Sequence, residues 1–242
     1  MSTENIQNNS VKSIYDLKLE KDSFISILSA RRTGKSFLIS NLIHYFLTNE
    51  KNKVDYVYLF SNTAGLNSNT NEQYNFLDKK CIVPAKPEIM QQVITGLMQT
   101  QKKTGFKFSL LIVFDDIVLT HKYEIIETLA SMGRHFHITT LLSAQIANTC
   151  VSPTIRNNTS YIFWRRIGSK SLKDNIFPTL NVAFDDTKEL LRYTKENTQD
   201  FQFIFYNNNK DFARIQYKLL EQLIFQKISN ILFISPMKSQ RE

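Results

Sequence analysis

The chain has 242 residues, 42% of them hydrophobic and 21% charged, which excludes a wholly disordered polymer and allows one large domain. Six glycines and five prolines are too few for a collagenous or low-complexity chain. Thirty Lys and Arg against 22 Asp and Glu leave a net charge of +8, a balance that suits a polyanionic partner, nucleic acid before membrane surface.

The elements follow in chain order. Residues 1–12 are polar and Asn-rich and lack the apolar core of a signal peptide, so a secreted protein is not expected. Residues 24–28 read as a short strand and 35–47 as a helix. A second strand, rich in Val and Tyr, is expected over 54–60. Residues 61–80 are dense in Asn and Ser and read as a polar loop or insertion. A helix follows over 87–102, with Pro87 where a first-turn proline is tolerated. Residues 110–114 form an apolar run that suits a central strand buried on both faces. It is the strongest apolar run in the chain, far short of the roughly 18 residues of a membrane span.

A helix over 123–132 ends at Gly133. Strands follow over 138–143 and 161–165, and a helix over 186–195. Residues 201–206 and 212–217 alternate in polarity about Asn207–Lys210, a hairpin signal with a somewhat long turn. An amphipathic helix over 219–233 and a basic tail close the chain. The alternation of strands and helices predicts an α/β fold with a mainly parallel sheet. The expected organisation is a polar N-terminal extension over 1–21, one domain over 22–218, and a C-terminal helix and tail over 219–242 belonging to that same domain. The two cysteines, Cys81 and Cys150, suit a reducing compartment.

Ser29-Ala30-Arg31-Arg32-Thr33-Gly34-Lys35-Ser36 follows a strand and opens a helix, which is the setting a phosphate-binding loop requires. Loop and helix-start N–H groups wrap a phosphate there, and the helix dipole favours its charge. Gly34 lets the backbone approach closely. Lys35 is placed to neutralise the β- and γ-phosphates of ATP, and the Ser36 hydroxyl to ligate Mg²⁺. Ser29 stands where the usual pattern has its first Gly. Arg31 and Arg32 are unusual in such a loop; each adds a cation toward phosphate, reaches a neighbouring subunit, or faces solvent.

The run at 110–114 ends in Asp115-Asp116. A parallel strand lifts such acids to the carboxyl edge of the sheet, where ligands bind. Asp115 is expected to hold Mg²⁺, mostly through water, and Asp116 to orient or deprotonate the attacking water. Many ATPases have Glu at that second place. Other readings are weaker. Asn52-Lys53-Val54-Asp55 matches a guanine-reading pattern but precedes the acidic strand, and no Asp-x-x-Gly occurs anywhere. A small-molecule kinase shares the loop and the size but needs an Arg-rich lid. His135, His137 and Cys150 lack the tight spacing of a zinc site.

Strand 138–143 leads into Ala144-Gln145, placing a Gln near a γ-phosphate. Gly133-Arg134-His135 precedes that strand, and Ser152-Pro153-Thr154-Ile155-Arg156-Asn157-Asn158 follows it, with Arg156 at a helix start. The ordered set, Arg-Arg-Thr-Gly-Lys-Ser, Asp-Asp after an apolar strand, Gly-Arg-His, Ser-Ala-Gln and Ile-Arg-Asn, resembles the viral genome-packaging ATPases of the FtsK–HerA superfamily, of poxvirus and virophage type. The resemblance covers about residues 22 to 207. It implies a RecA-like ATPase core that works as a homo-oligomeric ring and drives double-stranded DNA into a preformed viral capsid, in the virion or at its assembly site in the host cytoplasm. It implies the roles above for Lys35, Ser36, Asp115, Asp116 and Gln145, and an arginine from one subunit completing the next subunit's site. Arg134 and Arg156 both match positions for that arginine. A helicase-like replication or recombination motor, a nucleoside or nucleotide kinase, and a nucleotide-dependent switch remain the alternatives.

Overall fold

The computed structural model describes residues 11–30, 32–62, 73–117, 124–144, 151–165, 168, 170, 174, 176–180, 184, 186–198, 202–208 and 215–218. The elements are β1 (Val11–Lys12), β2 (Phe24–Ser29), α1 (Lys35–Thr48), β3 (Tyr56–Ser61), β4 (Ile82–Val83), α2 (Pro87–Lys103), β5 (Leu110–Ile117), α3 (Glu124–Met132), β6 (Ile138–Ala144), α4 (Pro153–Asn158), β7 (Tyr161–Arg165), α5 (Phe177–Leu180), α6 (Thr187–Glu196), β8 (Gln202–Asn207) and β9 (Ile215–Lys218). They build one nine-stranded sheet in the order β1-β9-β8-β7-β2-β6-β5-β3-β4. From β7 to β4 every pairing is parallel. β8 and β9 add an antiparallel hairpin, and β1 lies parallel on β9.

The central strands are apolar on both faces because helices cover both. Ile25, Ile27, Val57, Leu59, Leu111, Val113 and Leu141 pack against Leu38, Ile39, Leu42 and Phe46 of α1. The alternate positions, among them Leu28, Phe60, Ile112, Phe114 and Leu142, meet Met90, Ile94 and Leu97 of α2 and Ile126 and Leu129 of α3. Each such side chain is worth about 1.5–3 kcal/mol relative to exposure. Packing therefore holds α1, whose Ile, Phe, Tyr and Asn residues are only moderate helix formers.

Three differences from the sequence expectations stand out. The second strand begins at Tyr56 rather than residue 54, because Asp55 is occupied as a clamp: its Oδ2 accepts from the Ser109 N–H at 2.7 Å and its N–H donates to the Ser109 carbonyl at 2.8 Å. The polar stretch 61–80 hides anchors. Tyr74, Phe76 and Leu77 are buried in the α1-side core, and Lys79–Cys81 forms a 3-10 turn. Cys81 is itself buried, and burial pushes its thiol up to about 11. From Val11 onward the N-terminal segment joins the fold; Leu17 and Leu19 are buried, and the Tyr45 hydroxyl donates to both their carbonyls. The expected hairpin is present, with Phe205 opposite Ile215; residues 209–214 of its turn and second strand lie outside the described residues. The helix expected over 219–233 lies outside the described residues.

Gln101 clips the far edge of the sheet. It is 1% exposed, and its Nε2 donates to the carbonyls of Phe108, before β5, and Phe136, before β6. Gln101→Leu leaves those carbonyls unpaired, at about 1–3 kcal/mol in all. Calorimetry is expected to show Tm lowered by roughly 2–4 °C per kcal/mol lost. An unchanged Tm would show that the clip contributes nothing.

Candidate nucleotide site

All six parallel strands end on one edge. There Ser29 of β2 lies opposite Arg165 of β7, Leu28 opposite Ala144 of β6, and Asp115 of β5 opposite Ser61 of β3. β6 lies between β2 and β5, so the loop after β2 and the acids of β5 flank its end.

The loop closes by local bonds. The Ser29 and Thr33 hydroxyls are 2.8 Å apart, and Thr33 Oγ1 donates to the Ala30 carbonyl at 2.7 Å. Ser29 at the usual glycine place is thus buried and bonded within the loop. Arg32 is exposed at φ 56°, and Gly34 caps α1 at φ 86°, a left-handed conformation glycine adopts without strain. Gly34 offers no side-chain cap at the start of α1, a helix end that suits an anionic ligand. Lys35 is 7% exposed, and its Nζ donates to the Ser29 and Ala30 carbonyls at 3.3 and 3.4 Å. Both bonds are longer than the usual 2.7–3.2 Å, whereas a bond from an ammonium to a phosphate oxygen is charge-assisted and stronger.

Asp115 is 3% exposed and continues the face of Leu111 and Val113, which α1 covers. A register shift falls between Phe114 and Ile117 of β5 against β6. It places a bulge at Asp115–Asp116, the kind of irregularity that re-aims residues beside a site. Asp116 lies at this bulge by its backbone. The Tyr74 hydroxyl donates to Asp115 Oδ2 at 2.7 Å and approaches the Ser36 carbonyl at 3.5 Å. The Asp115 carboxylate and the backbone of Ser36, whose residues are the two expected metal ligands, are therefore brought to one hydroxyl. This donor set suits Mg²⁺, which takes oxygen ligands and keeps several waters. Arg31 and Gln145 lie outside the described residues, although Ala144 before Gln145 lies beside both β2 and β5.

The arginines at 134 and 156 do not join this site within the chain. Arg134 is exposed in the 3-10 turn Gly133–Phe136, at the opposite end of β6, a strand roughly 20 Å long. It lines a polar cleft of about 230 Å³ with Lys21, Asp22, Asn157 and Asn158. Arg156 is half-buried in α4, and its Nη1 donates to the Asp174 carbonyl at 3.1 Å. Asn52-Lys53-Val54-Asp55 also lies at that far end, between α1 and β3, and does not reach the loop. His137 is engaged with Asp22, Nδ1 to Oδ2 at 2.8 Å.

Two site residues escape sequence reading. Tyr74 sits in the Asn-rich stretch, with no local pattern that marks it. Arg165 is 2% exposed at the end of β7, and its Nη1 donates to the Thr33 carbonyl of the loop at 3.2 Å. Its guanidinium lies 5.9 Å from the centre of the Phe203 ring. The rule that ligands gather at the carboxyl ends of parallel strands would have flagged it.

Comparison with solved structures bears on the fold. B204, the DNA-packaging ATPase from Sulfolobus Turreted Icosahedral Virus, is 18% identical and superposes with a TM-score of 0.59, over 84% of this chain and 100% of that one. The fold is a RecA-like P-loop NTPase core. The genome packaging NTPase B204 from Sulfolobus turreted icosahedral virus 2, in complex with ATP-gammaS, gives a TM-score of 0.58 at 15% identity, over 83% of this chain and 98% of that one. The same protein with AMPPCP gives 0.58, over 81% and 97%. No family model matches the sequence, and no curated protein does. Among the described residues, no helix of this RecA-like core is long and apolar enough to cross a membrane.

The Arg165 bond gives a test of how the core holds its loop. Arg165→Met removes the donor to Thr33 while filling similar space. Hydrogen exchange at residues 32–36 is expected to speed up about tenfold, equivalent to about 1.4 kcal/mol. Unchanged exchange there would confine Arg165 to supporting the sheet.

Proposed function

We propose that this protein is an ATP-hydrolysing motor that translocates double-stranded DNA into a preformed viral capsid. The observation that carries the reading is the shared edge: a loop with a buried lysine and an acidic strand end, on a RecA-like sheet whose solved likenesses include a DNA-packaging ATPase. The net charge of +8 supports a polyanionic partner.

On this reading the first-turn N–H groups of α1 and the loop bind the phosphates of ATP, and Lys35 moves from its two carbonyls to phosphate oxygens. Ser36 and Asp115 would hold Mg²⁺, which would supply charge neutralisation to the phosphates. Asp116 orients or deprotonates the attacking water, and Gln145 contacts the γ-phosphate end. Arg31 and Arg32, both within the loop in sequence, add positive charge toward phosphate or reach a neighbouring subunit. Arg134 or Arg156 completes the site of a neighbouring subunit in a ring. The position of Arg134, exposed and at the far end of the sheet, favours that trans role over one in its own site.

The deciding experiment is ATP turnover with and without duplex DNA, over a range of protein concentrations. Turnover is expected to rise with both. Phosphate transfer to a nucleoside with no effect of DNA would establish a kinase instead. Lys35→Ala is expected to lower turnover about 10²–10³-fold while the protein stays folded; an unchanged rate would remove the loop from catalysis.

The ring has its own test. Lys35→Ala subunits mixed with Arg134→Ala or Arg156→Ala subunits are expected to recover activity, because an intact loop then meets an intact arginine from its neighbour. Arginines supplied in trans are worth roughly 10³–10⁵ in rate. Co-assembly without recovery for either variant would show that each site is complete within one chain.

A further inference from the structure

Asp115 presents an electrostatic problem that the sequence does not reveal. A carboxylate that is 3% exposed is costly unless hydrogen-bonded. Tyr74, which is 2% exposed, supplies a donor at 2.7 Å inside the core. The same hydroxyl lies 3.5 Å from the carbonyl of Ser36, in the first turn of α1. One phenol thus bridges the two elements expected to share a metal. Its ring is fixed by the α1-side core, beside Phe76 and Leu77. A hydroxyl on a rigid ring is suited to set the direction of the carboxylate it touches.

We propose that Tyr74 is a positioning residue of the metal–nucleotide site, holding Asp115 Oδ2 so that the carboxylate is presented to Mg²⁺ in one orientation. The inference rests on the nucleotide reading given above. Its chemistry is that of a ligand's outer partner: the phenol keeps its proton, donates to one carboxylate oxygen, and takes no part in bond breaking. Such partners typically change metal affinity or activity by 10–100-fold when removed.

The test separates metal from nucleotide. Binding of a fluorescent ATP analogue is measured first in EDTA and then over a Mg²⁺ titration, for wild type and Tyr74→Phe. Tyr74→Phe keeps the ring and loses only the hydroxyl, and near-ultraviolet circular dichroism checks its packing. The Mg²⁺ midpoint is expected to rise 10–100-fold, while affinity in EDTA stays within about twofold. In an Asp115→Asn background, adding Tyr74→Phe is expected to move the midpoint no further, because Tyr74 acts through that carboxylate. An unchanged midpoint, a lowered midpoint, or an equal loss of affinity in EDTA overturns the proposal. Wild-type protein that binds no nucleotide in either condition overturns the nucleotide reading itself.

Discussion

The parallel sheet imposes the constraint on which the site depends. Strands that run the same way deliver their last residues to one edge, so residues far apart in sequence converge without any long-range signal between them. Ser29, Asp115, Ala144 and Arg165 come together for this reason. The same constraint sends Arg134 and the Asn52–Asp55 stretch to the other edge. Once the sheet is covered on both faces by α1, α2 and α3, its edge is the place left for polar chemistry.

The polar groups on that edge are arranged around charge. Lys35 is buried and held by two long bonds to carbonyls of its own loop, and Asp115 is buried and held by a short bond from Tyr74. Arg165 fixes the loop from β7 through the Thr33 carbonyl. The loop is thus supported from the adjacent strand, and the lysine rests against carbonyls of its own loop. A rigid frame with a buried cation is the arrangement that favours phosphate binding without rearranging the sheet.

Much of this was legible before the structure. Gly34-Lys35-Ser36 opens a helix after a strand, and the apolar run before Asp115 requires burial on both faces; both are local patterns with one good physical solution. Tyr74 was not legible, because its partner is 41 residues away and its neighbours in sequence are polar. Arg165 read as the last residue of a strand, since only the pairing of β7 with β2 puts it beside the loop. The bulge at Asp115–Asp116 depends on the register against β6, which no single-strand pattern encodes. Val11 and Lys12 joined the sheet through a partner, β9, at the other end of the chain.

The central claim is that Lys35 is held for a phosphate and not for its own loop. A crystal structure with Mg²⁺ and a slowly hydrolysed ATP analogue measures this through the position of Lys35 Nζ. The account predicts Nζ within about 3 Å of a β- or γ-phosphate oxygen, the usual span of a charge-assisted bond, and away from the Ser29 and Ala30 carbonyls. Nζ still at 3.3 and 3.4 Å from those carbonyls, with the nucleotide bound elsewhere, would contradict it.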